Sequence, residues 1–213
     1  MIGLFWKDIL VMRKTLKYYL LVMVIYAVLA CLDILQFSFI ITFIQILIAV
    51  IPFSAFAYDE QTKWDRYARA LPIGPRAMVG ARYLFVLTLF LAAFATGLAG
   101  SAMLWLAKRE DPLILVLTLI TSTTLGVLLT VILLPLCYKL GPERSRAFLY
   151  VLVFVPMIVA VFLARANLLD LSFLDTLSPS DLKGVVALLP FGGLAMILVS
   201  YLISCRVVAG KEY

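Results

Sequence analysis

Long apolar runs, each of about 18 residues or more and separated by short clusters of charge, constrain this chain more than any other feature. A helix of that length crosses the ~30 Å hydrocarbon core of a bilayer. The charge content agrees: 14% of residues are charged, against about 25% in a typical soluble domain. The chain therefore reads as an all-α integral membrane protein, a single transmembrane domain over residues 1–213. Almost nothing is left over for a separate soluble domain.

Six spans fit the pattern. From Tyr18 to Tyr58 the sequence is apolar for some 40 residues, interrupted by Asp33, Gln36 and Ser38. One helix of that length would reach about 60 Å, twice the hydrocarbon core, so two helices with a turn near Asp33–Phe37 are expected. Further spans are expected at about Arg82–Ala107, Leu113–Cys137, Phe148–Ala164 and Gly184–Cys205, with Pro156 as a kink in the fifth. The N-terminal stretch 1–16 interleaves apolar and basic residues, unlike a signal peptide. Ile2, Phe5, Trp6, Ile9 and Leu16 fall on one helical face, with Lys7, Asp8 and Lys14 on the other. This predicts an interfacial helix with Trp6 at headgroup level.

Charge sets the orientation. The N-terminus, 58–83, 138–147 and 206–213 together hold 14 of the 18 Lys and Arg residues. The opposite segments hold the other four and half of the acids. The positive-inside rule puts the first set, with both termini, in the cytoplasm. The net charge of +6 thus reflects topology and anionic lipid, with no nucleic-acid footprint. The chain has no His, which removes His-dependent triads, His-Glu zinc motifs and His proton relays. Cys31, Cys137 and Cys205 form no C-x-x-C pair and read as small buried apolar residues.

Residues 57–76, AYDEQTKWDRYARALPIGPR, are the exception to the greasy pattern. A helix over Tyr58–Leu71, ended by Pro72, would align Trp64, Tyr67 and Leu71 on one face. Asp59 with Lys63, and Asp65 with Arg69, are favourable i,i+4 pairs worth about 0.2–0.5 kcal/mol each. Two roles suit such a helix: a headgroup anchor, or a docking helix whose aromatic face enters a groove on a soluble partner. Three acids among the bases suit a protein groove better than anionic lipid.

The run YDEQTKWDRYARALPIGPRAMVGARYL resembles the cytoplasmic segment of type-2 ABC exporter permeases, small six-helix membrane subunits found mainly in Gram-positive bacteria. The layout is similar over essentially the whole chain: an N-terminal elbow helix (1–16), six spans, a cytoplasmic coupling segment (58–76), and an outer re-entrant or amphipathic segment (165–183) before the last span. The resemblance implies that two permeases, as a homodimer or with a close paralogue, dock on two copies of a separate ATPase through the helix after the second span. It carries that coupling role to Asp59, Glu60, Trp64, Arg66, Tyr67 and Leu71. Some relatives export phenol-soluble modulins, others antibiotics, so an amphipathic cargo is implied. No G-x-x-x-x-G-K-[ST] occurs, so ATP and Mg would be bound by the partner chain.

Other features carry two readings each. Ala93, Gly97 and Ser101 form a small-xxx-small stripe for packing within the subunit or at a dimer seam. TSTT (121–124) bonds back to its own helix carbonyls, or offers Thr121, Ser122 and Thr124 to a translocation path together with Gln45. Segment 165–183 lies on the outer leaflet or re-enters it. No ionisable residue falls at mid-membrane depth, which argues against an ion-coupled carrier. The expected function is the permease of an ATP-driven exporter in a bacterial plasma membrane, a transport subunit and not an enzyme. A non-transporting immunity or sensor protein is the alternative. An intramembrane enzyme lacks its usual equipment here.

Overall fold

The computed structural model describes residues 2–31, 37–64, 67–68, 74–108, 112–165 and 179–210. These form six helices and no strand: α1 (Ile2–Cys31), α2 (Phe37–Gln61), α3 (Pro75–Lys108), α4 (Pro112–Leu140), α5 (Pro142–Arg165) and α6 (Pro179–Ala209). Five of them, α2 to α6, are long and apolar enough to cross a membrane. In α1 only the half from Tyr18 onward is apolar, about 21 Å at 1.5 Å per residue.

The expected elbow and first span are one continuous helix. The expected faces of its first half are also redrawn. Met12 is fully buried, and Phe5, Ile9, Leu16 and Tyr19 pack against the core. Asp8 is buried on that same side, and Trp6 and Leu10 point outward. At 100° per residue Asp8 sits beside Met12 on the wheel, so it belongs to the edge of the packed stripe rather than to a water-facing one.

Successive helices run antiparallel, which returns the N-terminus, the α2–α3 connection, the α4–α5 turn and the C-terminus of α6 to one end of the bundle. These are the four segments that carry most of the Lys and Arg, and we call this the basic end. Helix α4 lies at the centre, packed most extensively on α6 and α2. The core joins Met12, Ile48, Ile51, Ala55, Val79, Tyr83, Phe85, Phe90 and Leu134. Small residues let the helices close up: a β-carbon at Gly126 would come within 3.2 Å of the Gln45 carbonyl, and one at Gly97 would strike the Leu119 side chain. Gly97 therefore serves packing of α3 on α4 within the subunit. Helix α5 turns Phe148, Val151, Phe154, Ile158 and Phe162 outward.

Prolines are tolerated inside α2, α4, α5 and α6 at Pro52, Pro135, Pro156 and Pro190, because neighbouring helices and local adjustments re-satisfy the freed backbone groups. At the basic end Gly-Pro punctuates the chain twice. Gly74 accepts from the Ala77 amide at 2.9 Å as Pro75 opens α3. Gly141, at φ +82°, donates to the Cys137 carbonyl at 3.1 Å as Pro142 opens α5, the usual helix stop and start. The segment 138–147, expected as a loop, is thus helical on both sides of one glycine.

The expected helix over 58–71 is interrupted. Helix α2 ends at Gln61, and Lys63 takes φ 53°. Trp64 and 67–68 are helical again; Asp65, Arg69 and the close of the segment at Leu71 and Pro72 lie outside the described residues. The left-handed conformation costs a side-chain-bearing residue about 1–2 kcal/mol. Lys63→Gly should therefore raise the melting temperature in detergent or leave it unchanged. Gly141→Ala should lower stability by about 1–2 kcal/mol, read in the same thermal melt.

Candidate functional site: a charged ring at the basic end

Three helices bring four charged side chains together. Lys7 and Asp8 come from α1, Asp59 from the last turn and a half of α2, and Arg82 from the third turn of α3. Lys7 Nζ donates to Asp59 Oδ1 at 2.6 Å and lies 3.1 Å from Asp8 Oδ1. Arg82 Nη1 lies 3.2 Å from that same Asp8 oxygen, and Nη2 donates to Asp59 Oδ2. Cations and anions alternate around a closed ring with no net charge.

The ring is shielded from water. The Arg82 side chain is 7% exposed and that of Lys7, at the rim, 18%. Aromatic rings cover its two cations. Lys7 Nζ sits 4.5 Å from the Trp64 ring centroid, and Arg82 Cζ sits 4.6 Å from that of Phe56, both within cation–π range. Phe56 in turn meets Tyr138 of α4 edge-on at 4.8 Å.

Next to Arg82, Tyr83 grips the other side of the bundle. Its hydroxyl shares hydrogen bonds with Ser200 at 2.6 Å and Ser204 at 2.8 Å, both on α6. Ser200 Oγ donates to the Val131 carbonyl of α4 at 2.7 Å. Its single proton being committed there, Tyr83 donates to Ser200 and accepts from Ser204. Consecutive residues of α3 thus hold α1 and α2 by charge, and α4 and α6 by hydroxyls.

The residues singled out in the sequence are distributed unevenly around this ring. Asp59 is a member of it, so its partners are Lys7 and Arg82 rather than the expected Lys63. Glu60 is exposed, with Oε1 3.5 Å from where a β-carbon would stand at Gly141. Trp64 is half-buried under Lys7. Tyr67 is 67% exposed while its neighbour Ala68 is buried. Arg66 and Leu71 lie outside the described residues. The aromatic face expected to be continuous is therefore divided, with Trp64 turned in and Tyr67 turned out.

The residues proposed for a path lie elsewhere, between α2 and α4. Gln45 is 1% exposed, and its Oε1 has no hydrogen-bond partner among the described residues. Thr121, Ser122 and Thr124 donate to the carbonyls of Leu117, Leu119 and Ile120 at 2.9, 3.2 and 2.8 Å. The hydroxyls bond back to their own helix, as periodicity suggests. Ser122 and Thr124 are buried, and Thr121 is exposed.

Lys7, Asp8 and Arg82 were not singled out from sequence. One signal pointed to them: Arg82 stands seven residues inside an uninterrupted helix of otherwise apolar character, and a cation so placed needs a partner. Removing one member of a buried ion pair typically costs about 3–5 kcal/mol, because the remaining charge is stranded. Arg82→Gln leaves two carboxylates to share Lys7 alone and should destabilise the protein by about that amount, seen as a lower midpoint in detergent unfolding. Lys7→Gln, at the exposed rim, should cost less.

A family model described as "ABC-2 family transporter protein" matches residues 3–209. No curated protein and no solved structure matches the chain.

Proposed function

The chain belongs to the ABC-2 family of transporter proteins and is a multi-pass membrane permease whose ATPase is a separate partner; from that premise we propose that it is half of an ATP-driven exporter of amphipathic cargo. The segment after α2 is the landing site of the ATPase. Asp59, Glu60, Trp64, Arg66, Tyr67 and Leu71 carry the coupling, Asp59 from within the charged ring and Tyr67 from the surface. ATP and Mg are bound by the partner, in two copies, under a pair of permeases formed by this chain with itself or a close paralogue.

The observation that carries this reading is the seating of the polar segment. A connector that only anchors to headgroups needs basic and aromatic residues on its surface. Here Asp59 is drawn into a buried ring with two other helices, and Tyr67 is presented outward beside buried Ala68. Displacement of the segment would be passed to α1, α2 and α3 together. A rigid mount with an exposed aromatic suits a protein contact that transmits force.

The charges found at the basic end give the membrane orientation in this reading: both termini in the cytoplasm of a bacterial cell and the α6 start outside. The spans between carry no ionisable residue to serve an ion-coupled carrier. We assign the path of a peptide, antibiotic or lipid-like cargo to the region of Gln45, Thr121, Ser122 and Thr124, of which Thr121 is exposed and the other three are buried.

Two measurements test this. A pull-down of the tagged chain from its native membrane in mild detergent should bring a stoichiometric ATPase, and Trp64→Ala with Tyr67→Ala should reduce that recovery at least tenfold without loss of membrane insertion. Undiminished recovery excludes the segment as the landing site, and no ATPase with the wild type leaves the immunity or sensor reading. In a cysteine-free background, a membrane-impermeant thiol reagent applied outside should label Gly184→Cys and spare Thr62→Cys. The reverse pattern inverts the topology.

A further inference from the structure

We propose that the ring of Lys7, Asp8, Asp59 and Arg82 is a clamp that makes the N-terminal half of α1 a working part of the coupling apparatus, with Trp64 as its inward anchor and Tyr67 as the outward contact. This rests on the reading of the segment after α2 as the landing site of an ATPase, and it goes beyond that reading by bringing in residues from two other helices and by giving the two aromatics opposite roles.

Four observations carry the inference. The ring closes only through α1: without Lys7 and Asp8, Asp59 and Arg82 would be a single pair between α2 and α3. Lys7 serves two functions at once, donating to Asp59 at 2.6 Å and standing 4.5 Å from the Trp64 centroid. It therefore fixes the segment on both sides of the break at Lys63. That break matters because a helix interrupted by a left-handed residue cannot by itself hold Trp64 in register with α2; the tether to α1 supplies what the helix does not. Finally, Phe5, Ile9 and Met12 dock the same helix on the core, so the α1 end of the clamp is itself supported.

The ring also explains why the charges are kept. Buried ion pairs are poor sources of stability beside well-packed apolar residues. Their directional, alternating arrangement does fix which helices meet and in what register. Lys7, Asp8 and Arg82 are thus positioning residues: they touch neither cargo nor nucleotide, and they set where Trp64 and Tyr67 stand.

The experiment uses the full-length chain with Trp6→Phe and Trp105→Phe, which leaves Trp64 as its single tryptophan. Acrylamide quenching of Trp64 is measured in detergent, and recovery of the native ATPase is measured on the same variants. Lys7→Gln should at least double the quenching constant, and Lys7→Arg, which keeps the charge, should retain the parent value. Tyr67→Ala should leave Trp64 quenching unchanged and lower ATPase recovery at least tenfold. Lys7→Gln should retain most of the ATPase but lose the change in Trp64 quenching that ATP with vanadate produces in the parent complex.

Unchanged quenching in Lys7→Gln overturns the clamp even if the ATPase still binds. Equal loosening in Lys7→Arg also overturns it, since the effect would then be one of packing. Loss of the ATPase in Trp64→Ala, with full recovery in Tyr67→Ala, overturns the division of roles. If no ATPase is recovered with the parent chain, the landing-site reading fails and α1's part in coupling fails with it. The quenching series, which needs no partner, separately decides whether the clamp holds.

Discussion

A charge carried into a low-dielectric interior has to be neutralised where it stands, and Arg82 imposes that requirement on this protein. Its guanidinium has two carboxylate partners, and these come from two different helices. The second cation needed to balance them, Lys7, comes from α1 as well. Satisfying one arginine therefore fixes the mutual placement of three helices at the basic end. The adjacent Tyr83 extends the same logic to α4 and α6, where each hydroxyl needs a partner because water is not at hand. Helix α3 becomes the common member of both networks, and apolar packing around Met12, Phe85 and Phe90 fills the space they define.

Hydrophobic burial alone would leave this register loose. Lipid tails are about as apolar as leucine, so helices in a bilayer gain little by hiding apolar faces from one another. Close contact at Gly97 and Gly126 adds dispersion energy between α2, α3 and α4, but it does not select one depth along the helices as sharply as a set of fixed donors and acceptors does. The polar links described above are concentrated at the basic end. For the coupling proposed above, a rigid end there is what is required, because compliance would absorb the stroke before it reached the spans.

Much of this was legible in the sequence, and the reasons for the rest are physical. Hydropathy locates the spans because their length is set by the bilayer, and the charge count groups the segments that do share one end. The bonding of TSTT back to its own helix follows from consecutive residues facing every direction. The ring was not legible because amphipathic analysis sorts residues by whether they face water, and a buried charge defeats that sorting. Asp8 looked water-facing beside Lys7, and Arg82 looked like a span boundary. Their meaning depends on Asp59, more than 20 positions from one and 50 from the other. The break at Lys63 was hidden for a different reason. Left-handed helix stops are signalled by Gly or Asn, and here a lysine takes that conformation, its amide bonded to the Glu60 carbonyl at 3.0 Å. The helices also run past the bilayer surface, which turned 138–147 from an expected loop into two helix ends around Gly141.

The ring's neutrality bears on how the two halves of the segment after α2 respond to their surroundings. Four alternating charges a few ångströms apart have almost no field at a distance, and with little water access they are barely screened by salt. Tyr67, Lys63 and Glu60 face the opposite situation, exposed where the Debye length is about 8 Å at physiological ionic strength. Raising the salt concentration therefore weakens any electrostatic component of a partner's landing while leaving the mount that carries it intact. In the proposed coupling, landing and force transmission are separable, because one would rest on exposed side chains and the other on buried ones, joined across the left-handed Lys63.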